Sequence, residues 1–232
     1  MKKVLLLITC CFFVAKSYSQ YNYYRLSGGL NLGANTAFAD LQKKRPAQTI
    51  TASLDYHLTP FMSVGLEYQN GTLAGGDSVL NGADVHRRYF KNKYSSFTVG
   101  GKIQLGQLVD FESSNILYAI RGLYGGLGVG IIKNKMDPIV RIQPVTNYKF
   151  PGDDSSTNIV IPINTGINFN ILDRWGYTRF IFNLNYQLNV TIGEGLDGYN
   201  DASNGKAWSS IPDMYGVASA GIKICFGPEG LY

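Results

Sequence analysis

TITASLDYHLTPFMSVGLEYQ, residues 49–69, alternates apolar and polar side chains on both sides of Thr59-Pro60-Phe61. Side chains of a β-strand point alternately to the two faces of a sheet, so each half predicts a strand with one apolar and one polar face. Proline has no backbone N–H to donate, which suits a turn. The stretch therefore predicts a β-hairpin. Its apolar face consists of Ile50, Ala52, Leu54, Tyr56, Leu58, Met62, Val64, Leu66 and Tyr68.

The same period of two recurs toward both ends of the chain. Besides the hairpin, it predicts strands at 24–34, 96–107, 116–132, 159–171, 179–192 and 214–226. Five glycines between 122 and 130 blur the two faces of the predicted strand 116–132 and indicate a bulge or bend. Pro162 removes one ladder donor from the polar face of 159–171, so we expect a bulge or a widened pair there.

The connections between these eight strands alternate in length. The long ones are 35–47, 70–93, 133–158 and 193–212, and the short ones are 59–61, 108–114 and 172–176. Outer-membrane barrels show this alternation, with short periplasmic turns and long extracellular loops. The sequence therefore predicts an all-β fold, a transmembrane eight-stranded antiparallel up-and-down β-barrel, with both termini in the periplasm.

The N-terminus has the pattern of a secretory signal. Lys2 and Lys3 precede an apolar run from Val4 to Ala15, which is too short for a spanning helix, and the small residues Ser17 and Ser19 follow. We therefore predict a signal peptide at residues 1–19 and a barrel domain at 20–232. Cys10 and Cys11 leave a lipoprotein signal as the alternative, although a cut there would halve the apolar run.

Removing that signal changes the charge and the cysteine count. It takes three of the 21 basic residues and leaves 18 against 16 acidic ones, so the high isoelectric point predicts no nucleic-acid binding. Cys225 is then the one cysteine left, which excludes an internal disulfide.

A soluble lipocalin-like barrel would show the same alternation with its apolar face inside. Here the polar faces are mostly Gly, Ser, Thr, Asn and Gln, whereas a water-facing strand surface is normally rich in Lys and Glu. Aromatic residues gather near strand ends, as interfacial girdles require: Tyr24, Tyr56, Phe61, Tyr68, Trp175, Tyr177 and Phe226. These features favour a membrane barrel in a bacterial outer membrane.

The chain resembles the OmpA/OmpX-like family of eight-stranded outer-membrane β-barrel proteins over essentially all of 20–232. The resemblance rests on the architecture and on strings such as YHLTPFMSVGLEY, VIPINTGINFNI and NLNYQLNVTIGEGLDGY. It implies a fold and a Gram-negative outer-membrane location, not a specific activity. Unlike larger OmpA-type proteins, this sequence shows no peptidoglycan-binding domain after the last predicted strand.

The predicted lumen carries both signs of charge. An eight-stranded barrel is just wide enough to fill with side chains, and unpaired buried charge is costly, so we expect these groups to pair as a polar plug. The alternative is a narrow, low-conductance, porin-like ion path. The predicted lumen network consists of Arg25, Asp55, Glu67, Lys102, Arg121, Arg179 and Lys223.

The long loops are the expected functional surface. HRRYFKNKY, residues 86–94, combines cations with aromatic groups and suits either lipid phosphates or a protein partner. The candidate contact residues are His86, Arg87, Arg88, Tyr89 and Phe90.

No spacing of histidines and cysteines predicts a metal site, and we expect no cofactor and no catalytic residue. We therefore expect a non-enzymatic structural or interaction barrel. Its partners would be outer-membrane lipid, lipopolysaccharide and, as a subunit, another outer-membrane protein. A lipid-modifying enzyme is the remaining alternative, since His57 and His86 are present.

Overall fold

A computed structural model describes residues 22–38, 44–77, 87–143, 145–193, 195–199 and 213–231. The predicted signal peptide lies outside these described residues. A two-residue strand, Lys44–Arg45, pairs with the end of the third long strand, and helix α1 spans Asn115–Ile120. The eight long strands are β1 (Asn22–Phe38), β2 (Ala47–Thr59), β3 (Met62–Gly76), β4 (Tyr89–Gln104), β5 (Leu123–Ile139), β6 (Ser155–Leu172), β7 (Thr178–Ile192) and β8 (Met214–Leu231).

The strands close into a barrel. Each pairs antiparallel with its sequence neighbours, and β1 also pairs with β8, from Asn22 opposite Leu231 to Phe38 opposite Met214. The predicted eight-stranded antiparallel barrel is thus confirmed. We call the end with connections 60–61, 105–122 and 173–177 the short-turn end, and the other end the long-loop end. Within the described residues, no helix is long and apolar enough to cross a membrane.

An apolar belt surrounds the middle of the barrel. At the edge of the belt nearer the long-loop end, five residues are paired in register on adjacent strands and each is about half exposed: Tyr68, Phe97, Ile131, Ile159 and Ile192. Toward the short-turn end every strand adds exposed apolar side chains, among them Leu30, Leu54, Leu66, Val99, Leu127, Ile163, Leu184 and Ile222. Soluble monomers do not expose a continuous apolar ring of this kind, so the belt faces lipid.

Several strands run further toward the long-loop end than the sequence predicted. β3 ends at Gly76 rather than at 69, β4 begins at Tyr89 rather than at 96, and β5 ends at Ile139 rather than at 132. In these extensions the two faces exchange character: Lys93 is exposed, whereas Phe90 is fully buried. The sequence predicts loops for these extensions, whereas the strand period continues there with its apolar face turned inward.

The first part of the predicted strand 116–132 is wrong. Residues 115–120 form α1, whose N-terminus is capped by Ser114, with Oγ accepting a hydrogen bond of 3.3 Å from Ile116 N. Short 3-10 turns at Leu105–Gln107 and Phe111–Ser113 precede it. The connection between β4 and β5 is therefore longer than the predicted 108–114.

Aromatic side chains seal the short-turn end. Phe61 is 2% exposed and meets Phe111 edge to face, with 5.1 Å between ring centroids. Gly106 makes room for this ring, since a Cβ there would lie 2.6 Å from it. The Arg121 guanidinium stacks on Tyr118, 3.7 Å from the ring centroid. Phe61 was predicted in the interfacial girdle, and that is wrong, because its ring turns under the barrel instead of toward lipid.

Pro162 interrupts one ladder without shifting it. The pairs Leu127–Ile163 and Gly130–Val160 keep one register, and no pair is formed between them. Gly128 accommodates the proline ring, because a Cβ there would lie 3.1 Å from Pro162 Cγ. The ladder is therefore interrupted at Pro162 without a register shift, and the alternative expectation of a bulge is not met.

The belt makes a direct prediction about Leu127, the middle one of the outward positions of β5 between Leu123 and Ile131. Leu127→Arg should lower the free energy of unfolding by about 2–4 kcal/mol, since a cation near the bilayer midplane loses its water. Asn70→Arg, outward but beyond Tyr68, should cost at most about 1 kcal/mol. Urea titration in phospholipid vesicles measures both, and equal costs would contradict the assignment of the belt.

Candidate functional site

Four charged side chains meet inside the barrel at the level of the belt. Lys223 Nζ lies 2.5 Å from Asp55 Oδ2, and Lys102 Nζ lies 3.7 Å from Glu67 Oε2. The side chains of Asp55 and Lys223 are 3% and 6% exposed. Gly65, opposite Asp55, leaves space for its carboxylate. Two acids and two bases make the group neutral, as a low-dielectric interior requires.

Amide side chains complete the pairing of Glu67. Its Oε1 accepts hydrogen bonds from Gln69 Nε2 at 3.0 Å and from Gln187 Nε2 at 2.9 Å. The two glutamines are also hydrogen-bonded to each other. The cavity beside Asp55, Glu67 and Lys102 has a volume of about 20 Å³, which is room for one water. Side chains therefore fill this section of the lumen.

A second polar layer crosses the lumen from β1 to β5. Asn31 Nδ2 donates to Asn183 Oδ1 at 2.9 Å, and Asn183 Nδ2 donates to Tyr124 Oη at 2.9 Å. Tyr124 Oη donates in turn to Asn185 Oδ1 at 2.8 Å. Hydrogen-bonded networks of this kind fix the relative positions of the strands that contribute to them.

Three of the seven predicted lumen residues do not join the charged group. Arg25 is exposed and donates to Tyr56 Oη at 3.2 Å, next to the point where the register of β1 and β8 shifts by one residue. Arg179 is exposed at the short-turn rim, 5.3 Å from the Tyr24 ring centroid. Arg121 follows α1 in the aromatic seal. The bulge and the strand ends displace these side chains, although simple alternation places Arg25 and Arg179 inside.

His57 is buried near the short-turn end. Its Nε2 shares a hydrogen bond of 2.9 Å with Ser27 Oγ. The imidazole lies within the packed lumen, two residues from Asp55 along β2. His86, the other histidine, lies outside the described residues. No group of three or more potential metal ligands occurs among the residues that the structure describes.

An apolar core occupies much of the long-loop half of the lumen. Tyr94 and Tyr215 pack with 5.2 Å between ring centroids, and Phe150 meets Tyr199 edge to face at 5.8 Å. This apolar core consists of Ala37, Leu73, Phe90, Tyr94, Ile132, Met136, Phe150, Val160, Leu196, Tyr199, Tyr215 and Val217. Three of its members, Phe150, Leu196 and Tyr199, come from the long loops, so the described parts of the β5–β6 and β7–β8 loops pack into the barrel mouth.

Hydrogen bonds to the backbone hold these loops in place. Asn92 Nδ2 donates to Leu196 O at 2.8 Å, Arg141 Nη1 donates to Gly198 O at 2.7 Å, and Tyr199 Oη donates to Val140 O at 2.7 Å. Burial raises the pKa of Tyr199 to about 12. Its hydroxyl therefore stays protonated and remains a donor at neutral pH.

The predicted contact surface at 86–90 is only partly a surface. Phe90 is fully buried in the apolar core, and Arg88 is buried with its guanidinium 5.4 Å from the Tyr199 ring centroid. Arg87 and Tyr89 are half-buried, and the Arg45 guanidinium lies 5.6 Å from the Tyr89 ring centroid. Arg88 and Phe90 belong to the closure of the mouth and are not available to a partner.

Sequence reasoning missed the apolar core and the outward lysines above the belt. The signal is present in FKNKY, residues 90–94, where Phe90, Asn92 and Tyr94 alternate with Lys91 and Lys93. This is strand periodicity with the apolar face turned inward. The prediction of a loop for these residues, based on their mixture of cations and aromatic groups, is therefore wrong.

The fold is similar to that of Neisserial surface protein A, with a TM-score of 0.51, 13% identity, and coverage of 90% of this chain and 100% of that one. Ail, the attachment invasion locus protein of Yersinia pestis, superposes with a TM-score of 0.47 at 16% identity, covering 88% and 99% of the two chains. No protein-family model and no curated protein sequence matches the chain. The resemblance to OmpA/OmpX-like barrels is thus confirmed for the fold alone.

The buried ion pair makes a prediction that separates charge balance from packing. Asp55→Asn leaves Lys223 unpaired and should lower the free energy of unfolding by about 3–5 kcal/mol. Adding Lys223→Met removes the orphan charge and should recover most of that loss. Glu112→Gln, an exposed carboxylate in the β4–β5 connection, should change stability by no more than about 0.5 kcal/mol. Urea unfolding in vesicles tests all three, and a double variant no better than Asp55→Asn would contradict the pairing.

Proposed function

We propose that the protein is a non-enzymatic outer-membrane β-barrel that acts through its long-loop end, by contact with surface lipid or a protein partner. The observation that carries this proposal is the double closure of the lumen. A neutral polar core fills it at the level of the belt, and an apolar core with folded-in loops fills it above. Because the lumen of such a barrel is filled, its function must use the outer surface.

The architecture supports one orientation of the barrel in the membrane. The predicted N-terminal signal directs the chain out of the cytoplasm, and the lipid-facing belt is built from strands, as in bacterial outer membranes. Asn22 and Leu231 are paired at the short-turn end. With short turns on the periplasmic side, both ends of the barrel chain lie in the periplasm and the long loops lie outside the cell.

One described loop offers an exposed apolar tip. Ile142, Val145 and Tyr148 are each more than half exposed, on a turn closed by pairing of Ile142 with Lys149. Exposed apolar groups on an ordered turn suit a partner contact. Native mass spectrometry after mild detergent extraction decides between a subunit of a larger outer-membrane complex, which brings a stoichiometric partner, and a lone barrel.

The imidazole of His57 supports the non-enzymatic assignment. It is held by Ser27 inside the packed lumen, where a lipid or peptide substrate has no room beside it. The adjoining cavity, next to Tyr23 and Cys225, has a volume of about 20 Å³. Turnover of lipid A or phospholipid by the purified protein, lost on His86→Ala, would contradict this assignment.

Conductance in planar bilayers tests the closed lumen. The wild-type barrel should show no steady open level, because paired charges and amides fill the section around Asp55 and Glu67. A steady wild-type conductance that changes in Asp55→Asn or Glu67→Gln would instead establish the narrow porin-like channel. The variant Glu112→Gln, outside the lumen, serves as the matched control.

A further inference from the structure

We propose that four outward lysines of β4 and β5 bind the phosphate groups of the outer-leaflet glycolipid: Lys91, Lys93, Lys133 and Lys135. We call them the lysine patch. The inference deepens the proposed function and rests on it, because the patch must face the outer leaflet for this ligand to reach it.

The height of the patch on the barrel matches that of lipid phosphates. Phe97 and Ile131, paired across β4 and β5, are the last apolar outward residues of these strands. The next outward pair is Ser95 with Lys133, and the one after it is Lys93 with Lys135. Successive outward positions are about 7 Å apart along a strand, so the ammonium groups begin where the hydrocarbon ends.

Within the described residues, the acids of β4 and β5 do not balance the charges of the patch. Like charges placed directly opposite each other destabilise a sheet, yet Lys93 and Lys135 are direct partners. Among the described outward residues of β4 and β5, one acid faces them: Asp137, whose Oδ2 lies 2.9 Å from Lys93 Nζ. Nearby Asp154 is engaged by Arg141 at 2.7 Å. Four cations against one carboxylate leave a surplus that an external anion would neutralise.

The surroundings of the patch suit phosphate groups. Hydroxyl groups flank the lysines on the neighbouring strands, with Thr157 opposite Lys133, Ser155 opposite Lys135, and Thr72 opposite Lys93. Hydroxyls donate to phosphate oxygens, and lysines near an anionic membrane surface each add to its attraction. The strand ladder holds these groups at fixed positions just beyond the belt.

The competing occupant is a soluble polyanion approaching from outside the cell. It would need no contact with the belt, whereas a lipid anchored beside Phe97 and Ile131 is held next to the patch by its acyl chains. Continuity of the patch with the belt therefore favours the lipid. Soluble sulfated oligosaccharide becomes an arm of the test.

The test is native mass spectrometry of the full-length barrel in non-ionic detergent, titrated with diphosphoryl lipid A. Lys133→Gln/Lys135→Gln should weaken binding by about tenfold or more, whereas Lys133→Arg/Lys135→Arg should bind as wild type does, because the charge is kept. Arg174→Gln/Arg179→Gln removes the same charge at the short-turn end and should stay within about twofold of wild type.

Three results would overturn the proposal. The first is binding of lipid A by the glutamine variant as tightly as by wild type. The second is binding of dephosphorylated lipid A by wild type as tightly as diphosphoryl lipid A. The third is binding of a heparin-derived oligosaccharide by wild type as tightly as lipid A, with that oligosaccharide binding lost in the glutamine variant. Heat-modified electrophoretic mobility of each variant verifies that the barrel is intact. The conductance recordings test the proposed function separately from the lysine patch. An open lumen would refute the proposed function without changing the result of the lipid A titration.

Discussion

Backbone hydrogen bonding between the first and last strands is the constraint on which the rest of the structure depends. A bilayer offers no water to an open sheet edge, so every strand inside it needs two partners. The ladder from Asn22–Leu231 to Phe38–Met214 supplies the eighth pairing and removes both edges. Closure with eight strands also sets the narrow bore, which side chains from all sides can fill. The neutral group around Asp55 and the amide layer follow from that bore.

The wall continues past the membrane, and there the solvent outside changes from lipid to water. The two faces of the strands change with it. Below the level of Phe97 and Ile131 the apolar side chains point outward and the polar ones pair inside; above it, lysines point outward and aromatic rings pack inside. The molecule thus continues a membrane barrel, which is apolar outside, into an extension whose apolar side chains face inward, as they do in a water-soluble barrel. The second core gives the long loops something to pack against, and it closes the mouth.

Much of this architecture could be predicted from alternation, because a strand with lipid on one side keeps a strict period. All eight strands, the turn at Pro60 and the pairing of Asp55 and Glu67 with lysines were within its reach. The strand extensions could not be predicted in the same way. They keep the period of two, but their apolar side chains point inward instead of outward. Residues 115–120 alternate poorly and fold as α1 once Ser114 caps them. Arg25 lies outside the lumen because the register of β1 and β8 shifts beside it, and the alternation along one strand does not reveal such a shift.

The reversal of faces along one strand is the central claim, and a nitroxide scan of β5 tests it most directly. Single cysteines would be placed from 127 to 137 in a background carrying Cys225→Ala, in phospholipid vesicles. The predicted profile has odd positions through 131 accessible to oxygen in lipid, odd positions from 133 accessible to a water-soluble nickel complex, and even positions from 132 accessible to neither. Oxygen access that persists beyond 133, or water access at Ile132 and Met136, would contradict the two-core structure.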